Sequence, residues 1–345
     1  MNRPHVRYLV LWLTTACNLN CRYCYRKNDA HAAMSKDVVL AALSLATRSG
    51  LPFHIQLAGG EPTLEPDMIE FVGRRVLEDR LPATLALQTN GTLWDRKMVD
   101  LCRRYKIAIG VSLDGPPDVQ ESLRGRSGAT FRSLAMFEQE RMPVRVTTVL
   151  SSINITRLYD LVLTLSGFNN IRGVGFDPLV MTGAAQERTD LLPSAANVRA
   201  GIRDFMEGLE QIKACRNVSF EWREMQVILR ALTEKRSFRP YCHACRGESL
   251  AVHPNGEVYP CGQSVGDPVM SVGTVDAIDW NKLVSCYQGI TLRGDCPSCP
   301  LKNRCPGDCP SRLRYNQSSL VPTMCTLYRT VAEKLIEKTS ERSVS

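Results

Sequence analysis

Three cysteines lie within eight residues, in the run Cys17-Asn-Leu-Asn-Cys21-Arg-Tyr-Cys24, directly after an apolar stretch at Arg7–Thr15. On a loop, thiolates at these spacings can face one point. Three thiolate ligands on a four-iron cluster leave one iron open to a further molecule. The alternative is a zinc site with His31 as fourth ligand, although zinc pairs usually show two-residue gaps on both sides. Eight more cysteines fall in the C-terminal third: Cys242-x2-Cys245, Cys261, Cys296-x2-Cys299-x5-Cys305-x3-Cys309 and Cys325. Eight thiolates suffice for two fully ligated four-iron clusters. A zinc ribbon on the two C-x2-C pairs would use four and leave Cys261, Cys305, Cys309 and Cys325 unexplained. Cys102, Cys215 and Cys286 stand outside both groups and read as buried packing thiols, with Cys286 also a candidate hydrogen donor.

Composition narrows the setting. The chain has 345 residues, 14 of them cysteine, with 44% hydrophobic and 23% charged residues. That apolar fraction excludes wholesale disorder. The length suggests two domains, or one large domain with an appendage, and such a chain needs no disulfide staples. Thiols free to bind metal imply a reducing compartment, so the expected location is the cytoplasm. Arg3, Arg7, the run YLVLWL and Cys17 superficially resemble a lipoprotein signal, but the apolar run falls short of a typical signal core of about 7–15 residues. No stretch reaches the roughly 18 apolar residues of a membrane span. The net charge of +8 is scattered along the chain. It reads as a solvated basic surface, or as a docking face for an acidic electron donor or acidic substrate. No nucleic-acid reader motif is present.

The elements that must position these thiols alternate. Strand-like runs at Arg7–Thr15, Phe53–Ala58, Ala83–Gln88, Ile107–Leu113, Val144–Leu150 and Ile171–Asp177 are separated by helical spacing at Lys36–Arg48, Glu65–Leu77, Trp94–Tyr105, Thr130–Glu140 and Ile155–Leu165. Such alternation predicts an α/β fold with a parallel sheet, and six units make a partial (β/α)6 TIM-like barrel, short of closure. Ser194–Arg236 reads as mostly helical. From Tyr241 the chain turns rich in Gly, Pro, Asn and Cys, with too little core to fold unaided, and metal could supply the missing stability. Thr326–Lys338 reads as a terminal amphipathic helix. The expected layout is a barrel at 1–193, a helical linker at 194–240, a loop-rich cysteine domain at 241–325, and a terminal helix and tail at 326–345.

The first half resembles the radical S-adenosylmethionine (SAM) enzymes. Its C-x3-C-x2-C loop stands at the end of the first strand, and Gly59-Gly60-Glu61-Pro62, after the second, looks like their GGEP motif. Gln88-Thr89-Asn90-Gly91 ends the third strand and Ser112-Leu113-Asp114-Gly115 the fourth. The resemblance implies that Cys17, Cys21 and Cys24 hold a [4Fe-4S] cluster whose open iron binds SAM. It places Gly59, Gly60 and Glu61 at the methionine amino group, with backbone approach eased by glycine and the carboxylate accepting from the ammonium. It puts Asn90 in the SAM site, Ser112 at the ribose or methionine part, Arg124 against the carboxylate and Tyr23 near the adenine. Taken singly, GGEP, TNG and LDG are common turn sequences, Tyr23 a core aromatic and Arg124 a surface cation. Their order along successive strands carries the resemblance.

The C-terminal run Cys242-x2-Cys245-x10-Gly256-x4-Cys261, followed by C-x2-C-x5-C-x3-C and Cys325, is similar to the SPASM extension of radical SAM proteins over residues 241–325. The family pattern assigns Cys242, Cys245, Cys261 and Cys309 to one auxiliary cluster, and Cys296, Cys299, Cys305 and Cys325 to another. The implied cofactors are three [4Fe-4S] clusters and SAM, with a low-potential electron donor such as flavodoxin or ferredoxin as partner, and neither nucleic acid nor membrane. The implied activity is an oxidoreductase that cleaves SAM reductively to a 5′-deoxyadenosyl radical and abstracts hydrogen. Its expected substrate is a ribosomally made peptide, to be cross-linked or oxidised at a side chain. The first strand starts near residue 7, which leaves no room for an N-terminal leader-binding domain and weakens the peptide assignment. Sulfatase maturases carry an aspartate after the cysteine matching Cys261; here that residue is Gly262. The alternatives are a dehydrogenase or epimerase of a small molecule such as an aminocyclitol or sugar, and a non-enzymatic iron–sulfur electron carrier. Asp177, Glu221 and Tyr241 are candidate substrate-side groups.

Overall fold

The alternating apolar runs become strands because each strand serves two different faces. In β1 (Tyr8–Thr14), Leu9, Leu11 and Leu13 enter the core under the helices, whereas Val10 and Trp12 enter a second core on the opposite face. The coordinates are a computed structural model that describes residues 4–26, 30–216, 220–234, 241–290, 296, 298–305, 307–316 and 322–342. β2 (Phe53–Gly59), β3 (Ala83–Thr89), β4 (Ala108–Ser112), β5 (Val144–Leu150) and β6 (Ile171–Pro178) follow β1 side by side, all parallel. The intervening helices are α1 (Lys36–Thr47), α2 (Pro66–Glu78), α3 (Arg96–Arg104), α4 (Pro117–Leu123), α5 (Ser127–Gln139) and α6 (Leu158–Ser166). This is the partial TIM-like barrel that the alternation predicts.

Local chemistry sets the helix starts. Ser35 accepts from the Val38 amide at 3.3 Å and Asp95 from the Met98 amide at 2.8 Å, capping α1 and α3. Prolines occupy the first turns of α2 and α4, where a missing amide costs nothing. The sequence periodicity misses α4, because a seven-residue helix opening on Pro116-Pro117 is too short to show a pattern.

The helical stretch after residue 194 holds a break. α7 (Ala195–Arg216) and α8 (Arg223–Thr233) flank β7 (Glu221–Trp222), which pairs with β6 and extends the sheet. Trp222 is buried against Phe176 and Phe205 at ring separations of 5.6 and 4.9 Å, so its apolar bulk selects a strand there. Residues 235–240 of that stretch, and 343–345 of the tail, lie outside the described residues.

The cysteine-rich region borrows the barrel's core. β8 (Ser249–Val252), every residue buried, pairs in parallel with the free edge of β1, and β9 (Val258–Tyr259) adds antiparallel to it. Among the described residues the sheet therefore has nine strands, in the order β7-β6-β5-β4-β3-β2-β1-β8-β9. Short helices α9 (Trp280–Ser285) and α10 (Pro310–Tyr315) precede α11 (Thr323–Arg342), which packs on α7 and α8 and closes the region back onto the barrel. No helix among the described residues is long and apolar enough to cross a membrane.

Two glycines in helices test the packing in opposite directions. A Cβ at Gly201 would stand 1.9 Å from the Ile155 carbonyl oxygen, whereas one at Gly128 meets nothing nearer than the Arg132 guanidinium at 3.6 Å. Gly201→Ala is expected to lower unfolding stability by about 1–3 kcal/mol. Gly128→Ala is expected to raise it by roughly 0.5 kcal/mol. Urea unfolding of both variants checks the pair of signs.

Candidate metal centres

The first thiol group hangs from the carboxyl end of β1, and the glycine pair after β2 fixes where that loop begins. The Gly60 amide donates to Thr14 O and the Glu61 amide to Ala16 O, both at 2.8 Å. A Cβ on Gly60 would lie 1.8 Å from Ala16 O, and Gly59 sits at φ +131° with Thr14 O 2.4 Å from its would-be Cβ. These glycines are thus required by the approach of β1 backbone itself. Thr15 Oγ1 donates to Ala30 O and accepts from the Ala32 amide, both at 2.8 Å, and Arg26 donates to Thr15 O. On the far side, the Ala184 amide from the loop after β6 donates to Cys24 O at 2.8 Å. Cys17, Cys21 and Cys24 are half-buried free thiols. Burial pushes Cys21 up to about 11, Arg124 opposes this, and the neighbouring Cys24 and Cys17 add to it.

Glu61 and Asn90 knit this loop to β3. Glu61 is 1% exposed and its carboxylate accepts from Thr63 N, Thr63 Oγ1, Thr89 Oγ1 and the Asn90 amide at 3.2, 2.6, 2.7 and 2.7 Å. Burial raises its pKa more than these donors lower it. Asn90 Nδ2 donates to Asn18 Oδ1 at 2.9 Å and approaches Cys17 Sγ at 4.0 Å. Ser112, half-buried at the end of β4, accepts from Gln88 Nε2 at 2.9 Å. Tyr23 is buried and its hydroxyl donates to Asp114. Arg124 grips both Asp114 oxygens, at 2.7 and 3.2 Å, and lies 5.3 Å over the Tyr23 ring. Asp114, fully buried, is the residue that sequence reasoning missed; Leu-Asp-Gly after a strand is too common a turn to single it out.

The C-terminal thiols divide into two electrostatic neighbourhoods. Cys242 lies 3.9 Å from Cys245 and within influence of Cys309 and Cys261. Sharing a proton across that contact, Cys245 is the easier thiol of the two to ionise and Cys242 the harder. Cys325 instead feels Cys299, Cys305 and Cys296, and burial pushes it up to about 11. Burial likewise raises Cys261 and Cys305 and brings Cys309 to about 12. Of the remaining cysteines, Cys102 is fully buried, Cys286 packs between two cores, and Cys215 is exposed. The last corrects the expectation of burial: Cys215 sits on the solvent side of the end of α7.

Soft, free thiols in sets of three, four and four suit iron–sulfur clusters. A second observation agrees. Trp12 Nε1 is buried with no partner among the described residues, and it lies 3.7 Å from the would-be Cβ of Gly262, beside Cys261. It is a donor awaiting an acceptor at that thiol group. His31, the fourth ligand of the zinc alternative, is exposed.

Of the substrate-side candidates, only Asp177 faces the mouth of the sheet as an accessible charge. It ends β6 and pairs with Arg223 at 3.0 Å, and the two side chains keep 35% and 45% of their surface exposed. Arg223 lies across β6 because Gly175 leaves it room; a Cβ there would stand 2.9 Å from the guanidinium carbon. Burial alone would raise the Asp177 carboxyl, but Arg223 and Arg312 outweigh it and hold it below the usual carboxylate range. Glu221 is in an exposed pair with Arg145, and the Tyr241 hydroxyl accepts from Arg312 at 3.0 Å.

Comparison with known proteins places these features. Residues 13–160 match the model of the radical SAM superfamily. The serine-type anaerobic sulfatase-maturating enzyme of Klebsiella aerogenes is 26% identical, over 86% of this chain and 78% of its own. The radical SAM cyclopropyl synthase TigE of Paramaledivibacter caminithermalis is 22% identical, over 96% of this chain and 74% of its own. The solved structure of anSMEcpe with bound AdoMet and a peptide superposes with a TM-score of 0.81 at 17% identity, covering 99% of this chain and all of that one. Streptococcus suis SuiB bound to its precursor peptide SuiA gives 0.68 at 16%, covering 91% and 74%. The fold is shared with both of these solved structures.

Asp114→Asn strands a buried guanidinium and is expected to cost about 3–5 kcal/mol, with most of it recovered in Asp114→Asn/Arg124→Met. Denaturant midpoints decide this, and a single-variant cost under about 1 kcal/mol would refute the pairing. Asp177 has a depressed folded pKa, so its contribution to stability is present above its unfolded value and lost as pH falls through the folded one. Asp177→Asn is therefore expected to flatten the decline in urea midpoint below about pH 4.

Proposed function

We propose that this radical SAM enzyme, whose family domain spans residues 13–160, oxidises or cross-links a side chain of a ribosomally made peptide. What supports the proposal is the nearness of Cys242 to Cys245, Cys261 and Cys309, and of Cys325 to Cys296, Cys299 and Cys305, in addition to the first three thiols. Peptide-handling relatives that cover most of the chain support the substrate class. In this reading the barrel is residues 1–193, the linker 194–240, the SPASM domain 241–325 and the terminal helix 326–345.

Cys17, Cys21 and Cys24 hold the SAM-binding cluster, Cys242, Cys245, Cys261 and Cys309 the first auxiliary one, and Cys296, Cys299, Cys305 and Cys325 the second. When bound, a four-iron cluster supplies the electron that turns SAM into a radical able to take hydrogen from an unactivated carbon. The chain's own residues position and shield that chemistry. Glu61 locks the GGEP turn onto β3, so the backbone of Gly59 and Gly60 presents a fixed edge to the methionine end of SAM. Asn90 and Ser112 line the same mouth, at the ends of β3 and β4. Arg124, held by Asp114 over Tyr23, keeps a cation beside Cys21 and toward the SAM carboxylate. Asp177, ionised and accessible, accepts the proton that an oxidised substrate must release at its carboxylate oxygens. A low-potential flavodoxin or ferredoxin supplies electrons, in the cytoplasm.

Anaerobically reconstituted protein, reduced with dithionite in the presence of SAM, should form 5′-deoxyadenosine and hold about twelve iron atoms per chain. Cys24→Ala should abolish the nucleoside product. Iron near four per chain would refute the auxiliary clusters. Co-expression with each short open reading frame found beside its gene, read by mass spectrometry, should show loss of two hydrogens from one of the encoded peptides. Turnover of a sugar or aminocyclitol with every peptide untouched would overturn the peptide substrate.

A further inference from the structure

The chain gives the second auxiliary set two rival fourth thiols. Cys296, Cys299, Cys305 and Cys309 form a complete run of four by themselves, while Cys325 lies beyond them in the first turn of α11. Ligation by sequence proximity would recruit Cys309 to that run. It would leave Cys242, Cys245 and Cys261 one ligand short and Cys325 unused. The fold does the opposite. Gly307, at φ +82°, turns the chain between Cys305 and Cys309. Cys309 is buried, and its thiol donates to Gln263 Oε1 at 3.3 Å. The amide of the same Gln263 donates to Cys261 Sγ at 3.4 Å, so one residue bridges the two thiols.

A buried charge pair makes that turn. Asp308 and Arg312 each keep 4% of their side-chain surface exposed. Arg312 donates to Asp308 Oδ1 through Nε at 2.9 Å and through its terminal nitrogen at 2.5 Å. The Cys309 amide donates to the same oxygen at 2.6 Å. The terminal nitrogen of Arg312 also donates to the Tyr241 hydroxyl at 3.0 Å, and the guanidinium lies 5.7 Å over that ring. Asp308 directly precedes Cys309, and Tyr241 directly precedes Cys242. The guanidinium therefore ties the backbone beside one thiol to the backbone beside another. A buried ion pair is seldom a net source of stability over an apolar filling, and its best-attested use is to fix one register among several.

We propose that the Asp308–Arg312–Tyr241 clamp selects Cys309 for the Cys242, Cys245 and Cys261 set, and so forbids a mis-ligated cluster on Cys296, Cys299, Cys305 and Cys309. All three are positioning residues. The proposal rests on the two auxiliary clusters proposed above, and it concerns assembly, whatever the substrate is.

The test uses the whole reconstituted chain, its iron content and a map of cysteine alkylation by iodoacetamide. Asp308→Asn/Arg312→Met removes the pair without stranding a charge. It should lower iron from about twelve to about eight per chain. Cys325, Cys242, Cys245 and Cys261 should become at least about tenfold more alkylated, while Cys309 stays protected in the wrong cluster. Arg312→Lys should restore part of the protection at Cys325. Tyr241→Phe, a milder change, should move Cys325 in the same direction. Mere loosening of the region would expose Cys309 itself and spare Cys325, and that result overturns the clamp. So does an unchanged iron content with Cys325 protected in both the double variant and Tyr241→Phe. Iron near four in the unaltered chain would instead defeat the cluster assignment, and the clamp with it.

Discussion

A thiol withdrawn from water resists losing its proton, and this chain holds most of its clustered thiols half-buried. Burial raises Cys17, Cys21, Cys261, Cys305, Cys309 and Cys325. Each group is thus an electrostatic debt that a bound cationic cluster would settle, because a metal displaces the proton and neutralises the thiolate. The rest of the structure serves that constraint. The parallel sheet brings the loops that follow β1 to β4 and β6 to one end, and the first thiols lie among them. The region after residue 241 enters the same core through β8, so Cys245 and Cys261 flank strands of the same sheet.

Three Asp–Arg pairs surround these groups, and they differ in exposure. Asp114–Arg124 and Asp308–Arg312 are buried, each next to a cysteine whose ionisation the arginine eases: Cys21 for the first, Cys309 for the second. Asp177–Arg223 is open to the mouth. Desolvation makes the first two rigid and costly to break, which suits holding a ligand loop in place. Partial solvation leaves the third able to exchange partners with a bound molecule.

Much of this was legible in the sequence. The six strands announced themselves because both faces of each are apolar or specifically polar, and the thiol spacings set the first three cysteines apart from the C-terminal eight, whose division only the family resemblance implied. What escaped was non-local. Nothing in Ser249–Val252 says that it will pair with β1, since its partner lies more than two hundred residues away. The part Gly60 plays in packing was not readable: its missing Cβ makes room for Ala16 O, a contact that only the juxtaposed strands create. Asp114 and Arg312 were invisible because a buried charge is recognised by its burial, which the chain order does not encode.

The residue after Cys261 shows how one position changes the chemistry of the mouth. Sulfatase maturases carry aspartate there, and this chain carries Gly262. The Trp12 N–H, 3.7 Å from where a Cβ at 262 would stand, is buried and without a partner among the described residues. The accessible carboxylate comes instead from Asp177, across the sheet on β6, where Arg223 and Arg312 hold it ionised. At the strand ends the Asp177–Arg223 pair is therefore partly exposed, whereas the Trp12 N–H beside Gly262 is buried.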